Sequence, residues 1–103
     1  MDTLKIILLT DVEDFILALP SKKQDKISGA LGALENKRFE SVHIKQLRGD
    51  IKELKVAKYR LLFFIYTNNI YVVRIFIKKS NKVPKNEIEL AEKLQKLIIN
   101  QIS

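Results

Sequence analysis

The chain contains no cysteine among its 103 residues and a single histidine, His43. A disulfide framework and a thiol nucleophile are thereby excluded, and so is a His-rich metal site. Neither a metal nor an organic cofactor is expected. Glycine occurs three times and proline twice, with no low-complexity tract or internal repeat, which argues against disorder beyond the extreme ends. The apolar run Ile6–Leu9 is far too short for a signal core or a membrane span, and Asp11, Glu13 and Asp14 follow it at once. A cytoplasmic protein with no membrane association is expected. A chain of this length supports one modest hydrophobic core and not two, so residues 1–103 are read as one domain.

What the chain does have is positive charge, unevenly spread. Its formal net charge is +7. Residues 1–36 carry four lysines against six acids, and residues 86–103 carry two lysines against three acids. The middle, residues 37–85, holds thirteen Lys and Arg against three acids. All of the excess therefore lies in one segment, which favours a polyanionic partner over a uniformly solvated lysine-rich surface.

The periodicity divides the chain into eight elements. Residues 3–9 are aliphatic and β-branched and read as a strand. Thr10 and Glu13 have capping-box spacing, and Val12, Phe15, Ile16 and Leu19 share one helical face. Pro20 closes that helix. Ser21 and Gln24 offer a second capping box, with Ile27, Ala30, Leu31 and Leu34 continuing the helical period. From residue 42 the pattern changes to four runs, 42–47, 51–56, 59–66 and 70–77, rich in β-branched and aromatic residues. Arg48-Gly49-Asp50 and Asn68-Asn69 are good turn sequences between them, whereas Ala57-Lys58 is a poor one. Short links make successive strands antiparallel neighbours. Residues 85–102 then place Ile88, Ala91, Leu94, Leu97, Ile98 and Ile102 at helical spacing, after Pro84. The expected fold is α+β, in the order β-α-α-β-β-β-β-α, an antiparallel sheet with the helices packed on one face.

The later strands carry cations where a buried strand would not want them. Arg74 interrupts the run 70–77, which is otherwise apolar on both faces. Arg60 opens another apolar run, and Lys45, Lys52 and Lys55 lie in the two strands before it. An unpaired buried guanidinium is very costly. Arg74 therefore either pairs with an acid such as Glu53 or faces an open concavity, and strand alternation favours the concavity by bringing several cations to one face. Such a cluster suits phosphate: guanidinium donates two parallel hydrogen bonds to phosphate oxygens, and neighbouring ammonium groups lower one another's pKa. A lysine able to lose its proton can activate a ribose 2′-hydroxyl, with guanidinium groups stabilising charge on phosphorus. This chemistry cuts RNA and not DNA. Tyr59, Tyr66 and Tyr71 are read first as half-buried strand residues, and each is also a candidate for stacking on a base or donating a proton, Tyr66 being taken as the RNA contact. His43 is read as a surface residue.

The run Lys45-Gln-Leu-Arg-Gly49-Asp-Ile-Lys-Glu53-Leu54-Lys55, followed by Tyr59-Arg60-Leu61, resembles the core motif of RelE/HigB-type toxins. Val72-Val73-Arg74-Ile75-Phe76-Ile77-Lys78-Lys79, with Pro84, Glu87-Ile88 and Ala91, is similar to that family's downstream motif. The resemblance covers about residues 40–95. It implies the toxin of a bacterial type II toxin–antitoxin pair, a metal-independent endoribonuclease that cleaves mRNA on the ribosome. It also implies a cognate antitoxin, a helix-turn-helix DNA-binding protein in the HigB-like branch. By the same resemblance Lys45, Lys55, Arg60 and Arg74 are the catalytic set, with Lys78 and Lys79 at its margin in contact with RNA; Lys52 and Tyr66, from the residues alone, are read as further RNA contacts. Lys55 stands where the family usually has Arg, Arg74 where His is common, and Val83 where a Thr cap is usual. The same fold class also includes gyrase-inhibiting ParE-like toxins and non-catalytic binding members, which remain the alternatives.

Overall fold

The computed structural model describes residues 3–102. Its elements run β1 (Lys5–Leu8), α1 (Thr10–Leu17), α2 (Ser21–Glu35), a short 3₁₀ turn (Phe39–Ser41), β2 (His43–Arg48), β3 (Ile51–Val56), β4 (Tyr59–Tyr66), β5 (Asn69–Ile77) and α3 (Lys85–Ile102). The α+β class and the element order are those expected from the periodicity.

Two details of the packing differ. The sheet order is β1-β5-β4-β3-β2, and β1 pairs with β5 in parallel, not antiparallel. Only tight turns force the antiparallel sense. The long connection from β1 through both early helices carries the chain across the sheet, so no such turn constrains β1. The helices also cover both faces instead of one. Val12, Ile16, Ile27, Leu31 and Leu34 of α1 and α2 pack with Leu54, Leu61, Phe63, Ile70 and Val72. On the other side Ala91, Leu94 and Ile98 of α3 pack with Ile51, Leu62, Phe64, Tyr71 and Val73. The reason lies in β4, where Tyr59 through Phe64 are all buried. A central strand apolar on both sides needs cover on both sides.

Local chemistry sets the ends of these elements. Thr10 and Ser21 fall inside their helices, with Leu9 and Pro20 at the N-caps and no side-chain cap bond at either. The expected capping boxes are therefore absent. Gln24 instead donates to the Leu19 carbonyl at 2.8 Å and the Leu17 carbonyl at 3.3 Å, serving the end of α1. The three hairpin turns need left-handed backbone, as does Lys37 after α2. Gly49 takes φ +56° at the β2–β3 turn, where the missing Cβ removes the strain. Thr67 and Asn68 share the β4–β5 turn, and Ala57 takes φ 53° at the β3–β4 turn.

The β4–β5 ladder is irregular near its middle. Leu62 faces Arg74 and Phe63 faces Val72, so Val73 is an unpaired extra residue. Such a bulge lets neighbouring residues share a face. Val73 packs in the α3 core, and Arg74 stands on the same side, opposite Leu62.

Candidate nucleic-acid interface

Helix α3 covers only one end of its sheet face. The uncovered end is built by cross-strand register. His43 lies opposite Lys55, which lies opposite Arg60, which lies opposite Phe76. One step along, Lys45 lies opposite Glu53, then Leu62, then Arg74. Because side chains alternate along a strand, these two rows project from the same face.

The result is a cleft of about 370 Å³ lined by Val42, His43, Ile44, Lys45, Glu53, Lys55, Arg60 and Lys78. A second depression, of about 380 Å³, shares Lys55, Arg60 and Lys78 and adds Lys79, Ser80 and Asn81. The segment after β5 is held here because the Lys78 amide donates to the Lys58 carbonyl at 3.0 Å. Five of the eight sequence-predicted residues thus come together: Lys45, Lys55, Arg60, Lys78 and Lys79. His43, read from the sequence as a surface residue, is exposed but lines the same cleft. Its position opposite Lys55 is a matter of strand register, and the alternation of 43, 45 and 47 against 44 and 46 was the signal for it.

The floor of the cleft is an imperfect ion pair. Arg60 Nε and Glu53 Oε2 are 3.8 Å apart, with the side chains 9% and 6% exposed. Both of these atoms are buried without a hydrogen-bond partner. Arg60 Nη1 donates to the carbonyls of Ala57 at 2.8 Å and Tyr59 at 2.9 Å. The guanidinium is thereby fixed to the β3–β4 turn, and the same bond helps hold Ala57 in its strained conformation. A fixed cation at the base of a lysine-rimmed cleft is suited to an anion of phosphate size.

The remaining expected residues lie elsewhere. Arg74 pairs with Glu87 of α3, at 2.6 Å from Nε to Oε1 and 3.3 Å from Nη2 to Oε2. The expected pairing with an acid is thus met by Glu87 in place of Glu53, and Arg74 borders depressions beside Asp11, away from the lysine-lined cleft. The hydrogen bond to Glu87 holds the guanidinium above its ordinary range, and the charges of Glu87 and Asp11 act the same way against the opposing effect of burial. Lys52 belongs to the opposite face, in an apolar groove with Phe39, Val42, Ile44, Phe63 and Ile65. Tyr66 lies at the far end of β4, opposite Asn69, and packs against the α3 core. Tyr59 and Tyr71 are buried, against Phe15 and Phe64 respectively. Among the described residues no cluster of His, Cys, Asp and Glu is arranged to hold a metal ion, and no helix is long and apolar enough to cross a membrane.

Comparison with known proteins bears on the family and the fold. The model of the family described as phage derived protein Gp49-like matches residues 14–96. No curated protein matches the chain by sequence. Among solved structures, the chain is similar to one in the archaeal RelE–RelB complex of Pyrococcus horikoshii OT3, at TM-score 0.61 and 16% identity, covering 73% of this chain and 94% of that one. It is similar to one in the toxin–antitoxin complex RelBE2 of Mycobacterium tuberculosis, at TM-score 0.58 and 15% identity, covering 74% and 99%. A chain of the RelB–RelE antitoxin–toxin complex of Methanococcus jannaschii gives TM-score 0.58 at 13% identity, covering 69% and 88%. At such identities the likeness is one of fold.

Proposed function

The chain belongs to the Gp49-like phage-derived family, and from that membership, the RelE-like fold and the cationic cleft we propose that it is the toxin of a type II toxin–antitoxin pair, a metal-independent endoribonuclease acting on mRNA at the ribosome. The observation that carries this reading is the convergence of Lys45, Lys55, Arg60 and Lys78 on one open end of the sheet. In the proposed reaction the ribose 2′-hydroxyl gives its proton to Lys45 or Lys55 and attacks the adjacent phosphorus. Arg60, immobilised by two carbonyls, stabilises the charge that develops on the phosphoryl oxygens. The bond from phosphorus to the 5′-oxygen breaks. Lys78 and Lys79 hold the phosphates that flank the cleft. Arg74, engaged by Glu87, anchors α3 and adds to the field without reaching the scissile group. A cleft this shallow has few groups to select a sequence, so the ribosome supplies the positioning of the message. The partner that silences the protein is a cognate antitoxin of the helix-turn-helix DNA-binding class, and an antitoxin partner is supported by the antitoxin bound in each of the three similar structures.

The test is induced expression in a bacterial host, with and without Lys55→Glu, followed by primer extension on a translated message. Lys55 is exposed, so the substitution leaves the core intact. Growth arrest with new 5′ ends at codon-spaced positions, lost in the variant, is the expected result. Arrest with intact messages would overturn the nuclease reading in favour of a protein target, such as the gyrase inhibited by ParE-like toxins. Absence of arrest from folded wild-type protein would leave a non-catalytic binding member.

A further inference from the structure

A cleft that breaks a P–O bond needs a proton for the departing oxygen as well as a base for the attacking one. We propose that His43 is the general acid that protonates the 5′-oxygen, an assignment that rests on the ribonuclease reading. The titratable and charged groups lining the cleft are His43, Lys45, Glu53, Lys55, Arg60 and Lys78. Glu53 is buried and occupied by Arg60, so its carboxyl is withheld from a substrate. Of the cationic groups that remain, an imidazolium is a stronger acid than an ammonium by about four pKa units, and stronger than a guanidinium by about six or more. The stronger acid is the better donor to an alkoxide leaving group near neutral pH.

Position supports the same assignment. His43 faces Lys55 across the β2–β3 ladder, and directly opposed side chains stand about 4.5–5.5 Å apart at Cβ. Its neighbour two residues on, Lys45, stands on the same face. The acid is therefore flanked by both candidate bases on one face of the sheet. β2 is the outer strand of the sheet, so the imidazole is open to a chain lying across the face.

In this step the neutral lysine amine takes the 2′-hydroxyl proton and becomes an ammonium. The O2′–P bond forms as the P–O5′ bond breaks. The His43 imidazolium gives its proton to the 5′-oxygen and becomes neutral. The products are a 2′,3′-cyclic phosphate and a 5′-hydroxyl end, and no other reactant is needed.

The experiment is single-turnover cleavage of a ribosome-bound message by wild type, His43→Gln and His43→Asn. Each is tested with a 5′-oxygen and with a bridging 5′-sulfur at the scissile position. A thiolate leaves without protonation. On the oxygen message the variants are expected to be slower by about 10²–10⁴-fold, and on the sulfur message they are expected to match wild type. Equal slowing on both messages would overturn the proposal and make His43 a positioning or binding residue. Wild-type rates on the oxygen message from either variant would overturn it outright. If wild type cuts neither message, the nuclease reading itself falls, and the acid role with it. That outcome is distinguishable because it does not depend on position 43.

Discussion

Removing the guanidinium of Arg60 by Arg60→Met should be among the most damaging single changes outside the apolar core. Glu53 Oε2 has no hydrogen-bond partner, and the guanidinium it is paired with lies 3.8 Å away. The variant therefore leaves a buried carboxylate without its paired charge, a situation that costs about 3–5 kcal/mol. It also strips the donor from the carbonyls of Ala57 and Tyr59. A chain of this size has about 5–15 kcal/mol of total stability, so roughly a fifth or more of it goes. At about 5 °C per kcal/mol, the midpoint of thermal unfolding falls by about 15–25 °C. The reverse truncation is gentler. Glu53→Gln leaves Arg60 with both carbonyl acceptors, so it should cost about 1–2 kcal/mol less than Arg60→Met. The double variant Glu53→Leu/Arg60→Met removes both charges and should recover at least half of the Arg60→Met loss. Urea denaturation of wild type, the singles and the double measures each quantity and their coupling. A loss below about 1 kcal/mol for Arg60→Met would refute the reasoning. So would additivity of Glu53→Leu and Arg60→Met in the double variant, because independent sites cannot share a desolvation cost.

Three further outcomes are expected. Glu87→Gln should destabilise by about 1–2 kcal/mol, since the Arg74–Glu87 pair is 23% and 17% exposed and charge-assisted bonds of this kind are worth somewhat more when fully buried. Because the Arg74 guanidinium is raised above its ordinary value in the folded state, first by its hydrogen bond to Glu87, its contribution is complete below that ordinary value and is lost only as pH rises through the still higher folded one. The cost of Arg74→Gln in urea melts should accordingly be the same at pH 7 and pH 10. Ala57→Gly should stabilise by about 0.5–1 kcal/mol by relieving a left-handed backbone at φ 53°, and a decrease in the urea midpoint would contradict that. Replacing Lys78 and Lys79 together by Gln should flatten the salt dependence of binding to a 2′-O-methyl single strand by about 1.4 in log–log slope, or 0.7 per lost phosphate contact. Fluorescence anisotropy across a salt series measures it, and an unchanged slope would remove these lysines from the interface.

The order of the elements was legible in the sequence because each periodicity was local. Residues 51–56, 59–66 and 85–102 begin and end where the pattern placed them. The placing of helices on one face failed on information already visible. A run such as Ile70–Ile77, apolar on both sides, already requires cover on both. The convergence of Lys45, Lys55 and Arg60 follows from the register of two tight hairpins, which turn chemistry largely determines. Arg74 was harder. Its partner Glu87 is thirteen residues away in another element, and no local pattern encodes that meeting. The bulge at Val73 was equally hidden, since nothing in Val72-Val73-Arg74 marks one residue as supernumerary. His43 is exposed as expected, and its place in the cleft is readable only once its strand partner Lys55 is known. Tyr66 and Lys52 show the converse. Their residue types suit RNA, but strand position sets one at the far end of β4 and the other on the opposite face.

The extra residue at Val73 divides β5 into two stretches of opposite phase. Before it, even-numbered residues such as Ile70 and Val72 face the early helices. After it the odd-numbered Ile75 does so, while Arg74 and Phe76 turn to the other side. In an unbroken strand the guanidinium of Arg74 would be driven into the core beneath α1, and Ile75 and Ile77 would project beside the lysines instead. The bulge is thus a frame shift written into the backbone. It allows one strand to serve as core at its start and as the wall of a charged surface at its end. A one-residue deletion at Val73 would keep residues 74–77 in their present phase within an unbroken ladder, whereas closing the bulge with Val73 retained would exchange the two roles throughout them.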